Sequence, residues 1–273
     1  MNQALSIFSA IASFIGIFFL GWILLEVAIN GITALNWDFF TKRTLPTGEE
    51  GGMANAILGT LMMTALATII GVPIGIFSGV YLSEYVQDTR LANLMRFSST
   101  VIMSTPSIII GLFVYTILVL PSYGSFSGYA GAIALSFIIL PVVSRTTEDM
   151  LQLVPSSLRE SALALGSPKW KSITQITFRA AKTGIITGII LSIARISGET
   201  APLLFTAMNS FYWPGFMTGQ TANLTVTIYE YAMQPYKDLK TLAWGASFLI
   251  TISVLGMNIM TRFMFRSKSN DLK

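Results

Sequence analysis

The chain has 273 residues, 53% hydrophobic and only 11% charged, with a net charge of +4. Soluble domains carry about 25% charged residues. This composition, with a mean hydropathy of +0.66, therefore excludes an ordinary globular enzyme and places the chain in a membrane. Cysteine and histidine are both absent, which excludes disulfide frameworks, thiolate metal sites and the commonest general base.

A helix needs about 20 apolar residues to cross a bilayer, and six stretches qualify: about 5–30, 54–82, 100–120, 128–144, 184–208 and 242–264. The first is too long for the apolar core of a signal peptide and no Lys or Arg precedes it, so it reads as a retained span. Glu26 near its end reads as interfacial. Gly71, Pro73, Gly75, Pro106, Gly111 and Pro141 fall inside the spans, as membrane helices tolerate where neighbours re-satisfy the backbone. They predict kinked, closely packed helices. The chain divides into a first span with its external loop (1–53), a five-helix unit (54–265, with a polar loop at about 145–183) and a short tail (266–273) that reads as disordered. There is no internal repeat, which weighs against a secondary carrier.

Lys and Arg set the orientation. With the 145–183 loop inside, twelve fall on the cytoplasmic side and four (Lys42, Arg43, Lys237, Lys240) outside. Both termini are then cytoplasmic, with Trp37, Tyr123, Tyr212 and Trp213 as external interfacial aromatics. No basic run of five or more occurs, so the net positive charge indicates no nucleic acid partner.

Pro155 to Trp170 interrupts the apolar pattern and reads as two short cytoplasmic helices joined at Gly166. Ser157 and Glu160 have the spacing of a capping box. Gly166 suits the left-handed residue that ends a helix, and Ser167-Pro168 suits an N-cap followed by a first helical proline. Just upstream, Glu148-Asp149 beside Arg145 reads as a solvated helix end.

The fifth span, Gly184–Met208, is apolar except for Arg195 and Glu199. Arg195 lies about eleven residues in, roughly 17 Å along the axis, and Glu199, four residues on, shares its helix face. An Arg at that depth costs roughly 2.5–3.5 kcal/mol on insertion scales. Two readings stand: a self-neutralising intrahelical bridge, or a substrate path. In the second, Arg195 presents a fork suited to an oxyanion such as phosphate or sulfate, Glu199 orients it, and Ser197 and Thr200 add hydroxyl contacts. Ser104, Thr105 and Ser107 around Pro106 are candidates for the same path. No G-x-x-x-x-G-K-[ST] loop, G-x-S-x-G elbow or H-E-x-x-H helix occurs, so any ATP must be used by another subunit.

Glu160-Ser161-Ala162, three residues, Gly166, nine residues and Ile176 resemble the coupling loop of ABC importer permeases, E-A-A-x3-G-x9-I-x-L-P. Phe178-Arg179 departs from its final Leu-Pro. Ala194-Arg-Ile-Ser-Gly-Glu-Thr-Ala-Pro-Leu-Leu-Phe-Thr-Ala207 is similar to the corresponding span in the permeases of bacterial phosphate importers, as are Leu224–Gln234 and Ala243-Trp244. The resemblance covers about 54–265. It implies an all-α integral membrane protein of the type I ABC importer permease fold, with six transmembrane helices and a cytoplasmic coupling-helix pair in the bacterial inner membrane. It further implies a second phosphate permease subunit and an ABC ATPase dimer that binds ATP and Mg and grips the coupling helix at Leu158, Glu160, Ala162 and Gly166. An extracytoplasmic phosphate-binding protein would deliver substrate, and this chain itself would hold no cofactor. The competing expectations are a permease for sulfate or molybdate, a self-sufficient ion-coupled carrier or channel, and a signalling scaffold without transport.

Overall fold

A computed structural model describes residues 2–46, 48–86 and 89–266, with side chains described from 5 to 263. Residues 267–273 of the expected tail lie outside the described residues. The described chain is helical throughout, with no strand: α1 (Asn2–Ile32), α2 (Trp37–Thr41), α3 (Ala54–Val80), α4 (Arg90–Ser104), α5 (Ser107–Val114), α6 (Gly128–Gln152), α7 (Ser156–Ala164), α8 (Lys169–Ser172), α9 (Phe178–Ile196), α10 (Ala201–Thr206), α11 (Leu224–Ala232) and α12 (Lys237–Arg266). Single π-helical turns prolong α3 (Tyr81–Tyr85) and α5 (Tyr115–Val119), and a third (Ile173–Thr177) leads from α8 into α9.

The hub is α6. Two-thirds of its most apolar window is buried, against none in α1. Gly71, Gly75 and Gly79 recur every four residues on one face of α3 and let it lie directly on α6. A Cβ at Gly75 would stand 2.9 Å from the Leu140 carbonyl oxygen, and one at Gly79 2.5 Å from that of Ser144. Small residues permit this approach where lipid gives helices no hydrophobic reason to associate.

Five helices are individually long and apolar enough to cross, and α4 with α5 forms a pair bent by 106°. The path of that pair makes it the sixth crossing. Arg96 of α4 meets Glu148 near the end of α6, whereas Val119, beyond α5, packs on Ala130 and Ala134 near its start. The chain thus travels the length of α6 with a break at Thr105-Pro106. The fifth span breaks too: α9 stops at Ile196, and α10 continues until its Thr206 carbonyl accepts from the Ser127 amide at the start of α6. The six expected crossings are present, but the third and fifth are discontinuous.

Helix starts at the pair expected to face the cytoplasm, α7 and α8, also differ from expectation. Pro155 and Pro168 are the N-caps of α7 and α8, neither helix has a side-chain cap, and Ser157 lies inside the first turn of α7. A proline's fixed φ starts a helix directly after it. The end of α7 is as expected. Gly166 has φ +76°, the Ser167 amide bonds the Ala162 carbonyl at 3.1 Å and the Gly166 amide that of Leu163 at 2.9 Å, a Schellman motif.

Gly79→Val should overpack the α3–α6 seam at a cost of about 1–3 kcal/mol. The check is thermal unfolding in detergent, where a melting temperature equal to that of the wild type would show that the seam yields.

Candidate functional site

The two breaks face each other beside the middle of α6. Thr105 is held extended (φ −73°, ψ 133°), the conformation that the following Pro106 favours. On the other side, Gly198 and Glu199 form a turn onto the Arg195 and Ile196 carbonyls, and Pro202 starts α10. The halves beyond the breaks pack closely, since a Cβ at Gly111 would lie 2.6 Å from Cα of Pro202.

Between the breaks lies a cavity of about 220 Å³, lined by Thr105, Pro106, Ser107 and Ile110 on one side, Arg195 and Glu199 on the other, and Ile138 and Val142 of α6 behind. Ile138 and Val142 are the eleventh and fifteenth of the 25 residues of α6, so the cavity sits at mid-span. Arg195 is the penultimate residue of α9, and Glu199 lies past the helix end. Their expected common helix face is therefore corrected: the turn, rather than a helix, brings them to 3.9 Å.

Arg195 is open to a ligand. Its side chain is 54% exposed against 16% for Glu199, and among the described residues it makes no hydrogen bond. The first turn of α5 has no side-chain cap. The Ile109 amide bonds the Pro106 carbonyl at 2.9 Å, which leaves the Ser107 and Ile108 amides as open donors among the described residues, at the positive end of a helix. The Thr105 hydroxyl donates to the Val101 carbonyl and keeps an acceptor side. The cavity thus gathers a guanidinium, two free backbone amides and one carboxylate.

The other expected path residues are placed elsewhere. Ser197 donates to the Ala194 carbonyl and lines a separate, mostly apolar cavity of about 290 Å³ with α3, α11 and α12 residues. Thr200 precedes α10 without lining the Arg195 cavity, and neither does Ser104, whose hydroxyl bonds the Thr100 carbonyl. Thr225 of α11, which no local pattern singles out, bonds the Glu199 carbonyl at 2.8 Å and holds the turn.

At the far end of α6, α7 turns Leu158, Glu160 and Leu163 outward, with Leu165 and Gly166 also exposed beyond its end, and buries Ala162. Glu148 corrects another expectation. Its side chain is 2% exposed, paired with Arg96 at 2.7 Å and bonded by Gln152 at 3.2 Å, so only Asp149 of that acidic pair belongs to a solvated end.

These features have a family. The chain belongs to the binding-protein-dependent transport system inner membrane components, whose family model matches residues 71–269. It is 48% identical over 268 residues to the phosphate transport system permease protein PstA of Pasteurella multocida, covering 98% of this chain and 95% of that one. Identity to the PstA of Haemophilus influenzae is also 48%, over 98% and 94% of the two chains. A chain in the crystal structure of a bacterial alginate ABC transporter, in complex with a periplasmic protein bound to an alginate pentasaccharide, superposes with a TM-score of 0.68. It is 16% identical, over 97% of this chain and 96% of that one. The expected type I importer permease fold is therefore the one found.

Glu148→Ala should destabilise the protein by about 3–5 kcal/mol, because it breaks the buried ion pair that ties α4 to α6. Denaturant titration in detergent reads this, and a loss below about 1 kcal/mol would fit a solvated carboxylate instead.

Proposed function

We propose that this chain is a membrane-embedded permease subunit that carries inorganic phosphate inward in an ATP-driven importer. The observation that carries the reading is Arg195: a guanidinium at mid-span, in a cavity between two broken spans, with no hydrogen bond among the described residues. Discontinuous helices at the bilayer midplane are a recurrent way to present charge to a solute. The relatives named for phosphate transport supply the substrate, and the cavity supplies a reason for it. Phosphate near neutral pH retains a proton that the Glu199 carboxylate can accept, whereas sulfate has none and meets that carboxylate as a like charge.

The rest of the machine follows from the same reading. A second phosphate permease subunit (PstC-like) would close the path. An ABC ATPase dimer (PstB-like) would bind ATP and Mg and receive α7 through Leu158, Glu160, Ala162 and Gly166, with Leu163 and Leu165 adding apolar surface. An extracytoplasmic phosphate-binding protein (PstS-like) would deliver the ion. This chain would hold no cofactor and hydrolyse nothing itself, and both termini would be cytoplasmic, as the twelve-to-four distribution of Lys and Arg supports.

Labelled phosphate uptake tests this in cells lacking their own high-affinity importer, supplied with the partner subunits with and without this chain. Uptake should need both this chain and the ATPase, resist excess sulfate, and fall at least about tenfold in Arg195→Gln, the loss of one charge-assisted contact. Glu199→Gln should let sulfate compete. Uptake without the ATPase would indicate an ion-coupled carrier, sulfate competition in the wild type another oxyanion, and an unaffected Arg195→Gln a scaffold.

Gly166→Val forces a β-branched residue into the left-handed region. It should lower uptake while leaving expression in the membrane unchanged. Normal uptake would remove Gly166 from the coupling role.

A further inference from the structure

The cytoplasmic helix α7 is joined to α6 by a link of only three residues, 153–155, and to α9 through the Gly166 turn and α8. Neither connection reaches α3, the helix that packs most intimately on α6. One side chain supplies the missing connection. Arg159, in the second turn of α7, points inward while its neighbours Leu158 and Glu160 point out. Its Nε and Nη2 donate to Glu84 Oε1 at 3.2 and 2.9 Å, its Nη1 to the Val154 carbonyl at 2.7 Å and its Nη2 to the Leu151 carbonyl at 2.6 Å.

Each acceptor is informative. Leu151 lies in the last turn of α6 and Val154 in the link that continues it, where helical partners run out, so the guanidinium caps that helix end. Glu84 belongs to the π-helical turn that ends the α3 span, and its side chain is 6% exposed. A carboxylate so buried is costly without a partner. A fork of fixed geometry that meets three acceptors from two other elements is a task for arginine that lysine cannot repeat. Lys169, which starts α8, lies 4.7 Å over the ring of Tyr85 in the same π turn and reinforces the contact.

We propose that Arg159 and Glu84 form the tether through which movement of α7 reaches the anion cavity. A displacement of α7 pulls on the end of α3. The glycine seam makes α3 and α6 move as one body. Ile138 and Val142 of α6 form the back wall of the cavity, so that wall shifts against the two broken spans. Arg159 is thus a positioning residue, which touches neither substrate nor ATPase. The π turn carrying Glu84 is a joint in this path, since a π turn can exchange its hydrogen-bond register with the α-helix around it.

This inference rests on the permease reading, and one experiment separates the two. The complete importer is reconstituted in proteoliposomes with its binding protein, and ATP hydrolysis and phosphate uptake are measured together. In Glu84→Gln the ATPase should co-purify at the wild-type ratio and hydrolysis should persist. Phosphate carried per ATP should fall by about tenfold, the scale of one lost charge-assisted hydrogen bond. The chain has no cysteine, so Glu84→Cys with Arg159→Cys can be joined by a short bis-maleimide in a partner background freed of cysteine. The linked protein should recover most of the lost ratio, which a merely structural contact would not require. An unchanged ratio in Glu84→Gln, loss of the ATPase from that variant, or no recovery on linking would each overturn the tether. A wild-type complex that carries no phosphate would sink the permease reading itself.

Discussion

A helix that stops inside hydrocarbon leaves amide and carbonyl groups with nothing to bond, so it can stop only where protein or a wet cavity receives it. Two spans do so here, at Thr105-Pro106 and between Ile196 and Ala201. The rest of the molecule follows from receiving them. The breaks need a rigid wall, and the α3–α6 pair provides it, because Gly71, Gly75 and Gly79 remove every side chain that would hold the two backbones apart. The breaks also need each other: Gly111 on Pro202 locks the outer halves, and Thr225 fixes the turn through the Glu199 carbonyl.

Charge is distributed by the same logic. At the α7 end of the bundle, buried carboxylates are closely paired: Glu148 holds Arg96, and Glu84 holds Arg159. Each ties an otherwise peripheral helix, α4 or α7, to the rigid pair. At mid-span the engagement is deliberately incomplete, with Arg195 and Glu199 close enough to influence one another and too far apart for a hydrogen bond. Tight pairs fix architecture, whereas the loose pair ties no two helices together.

Composition and apolar run length made the six crossings legible, and Arg195 and Glu199 stood out as the charged residues of the fifth span. The breaks were not legible because proline alone does not decide them. Pro73 and Pro141 sit within continuous helices, whereas Pro106 ends one. The difference lies in what packs around each. Ser197 was misjudged for a related reason. Adjacency to Arg195 in sequence implied adjacency in space, but the last turn of α9 points the two side chains to different cavities. The inner ion pairs join residues 52 and 75 positions apart, a separation at which no local pattern names the partner. Gly166 and its turn were legible because a Schellman motif is set within a few residues.

The magnitudes decide between the two readings of the Arg195–Glu199 pair. An Arg near the bilayer centre costs roughly 2.5–3.5 kcal/mol even on the gentler scales, while a half-exposed ion pair contributes about 0–1 kcal/mol. At 3.9 Å, without a hydrogen bond, this pair belongs at the low end of that range, so mutual neutralisation cannot account for the arginine. What offsets the remainder must be water in the cavity or an anion that replaces it. An arginine so loosely paired is one that an oxyanion could engage at little cost, and on the proposed reading Glu199 would keep that site from holding the ion too tightly to release it. The same weak pairing that makes Arg195 poor structural glue makes it suitable for a path that an ion must leave.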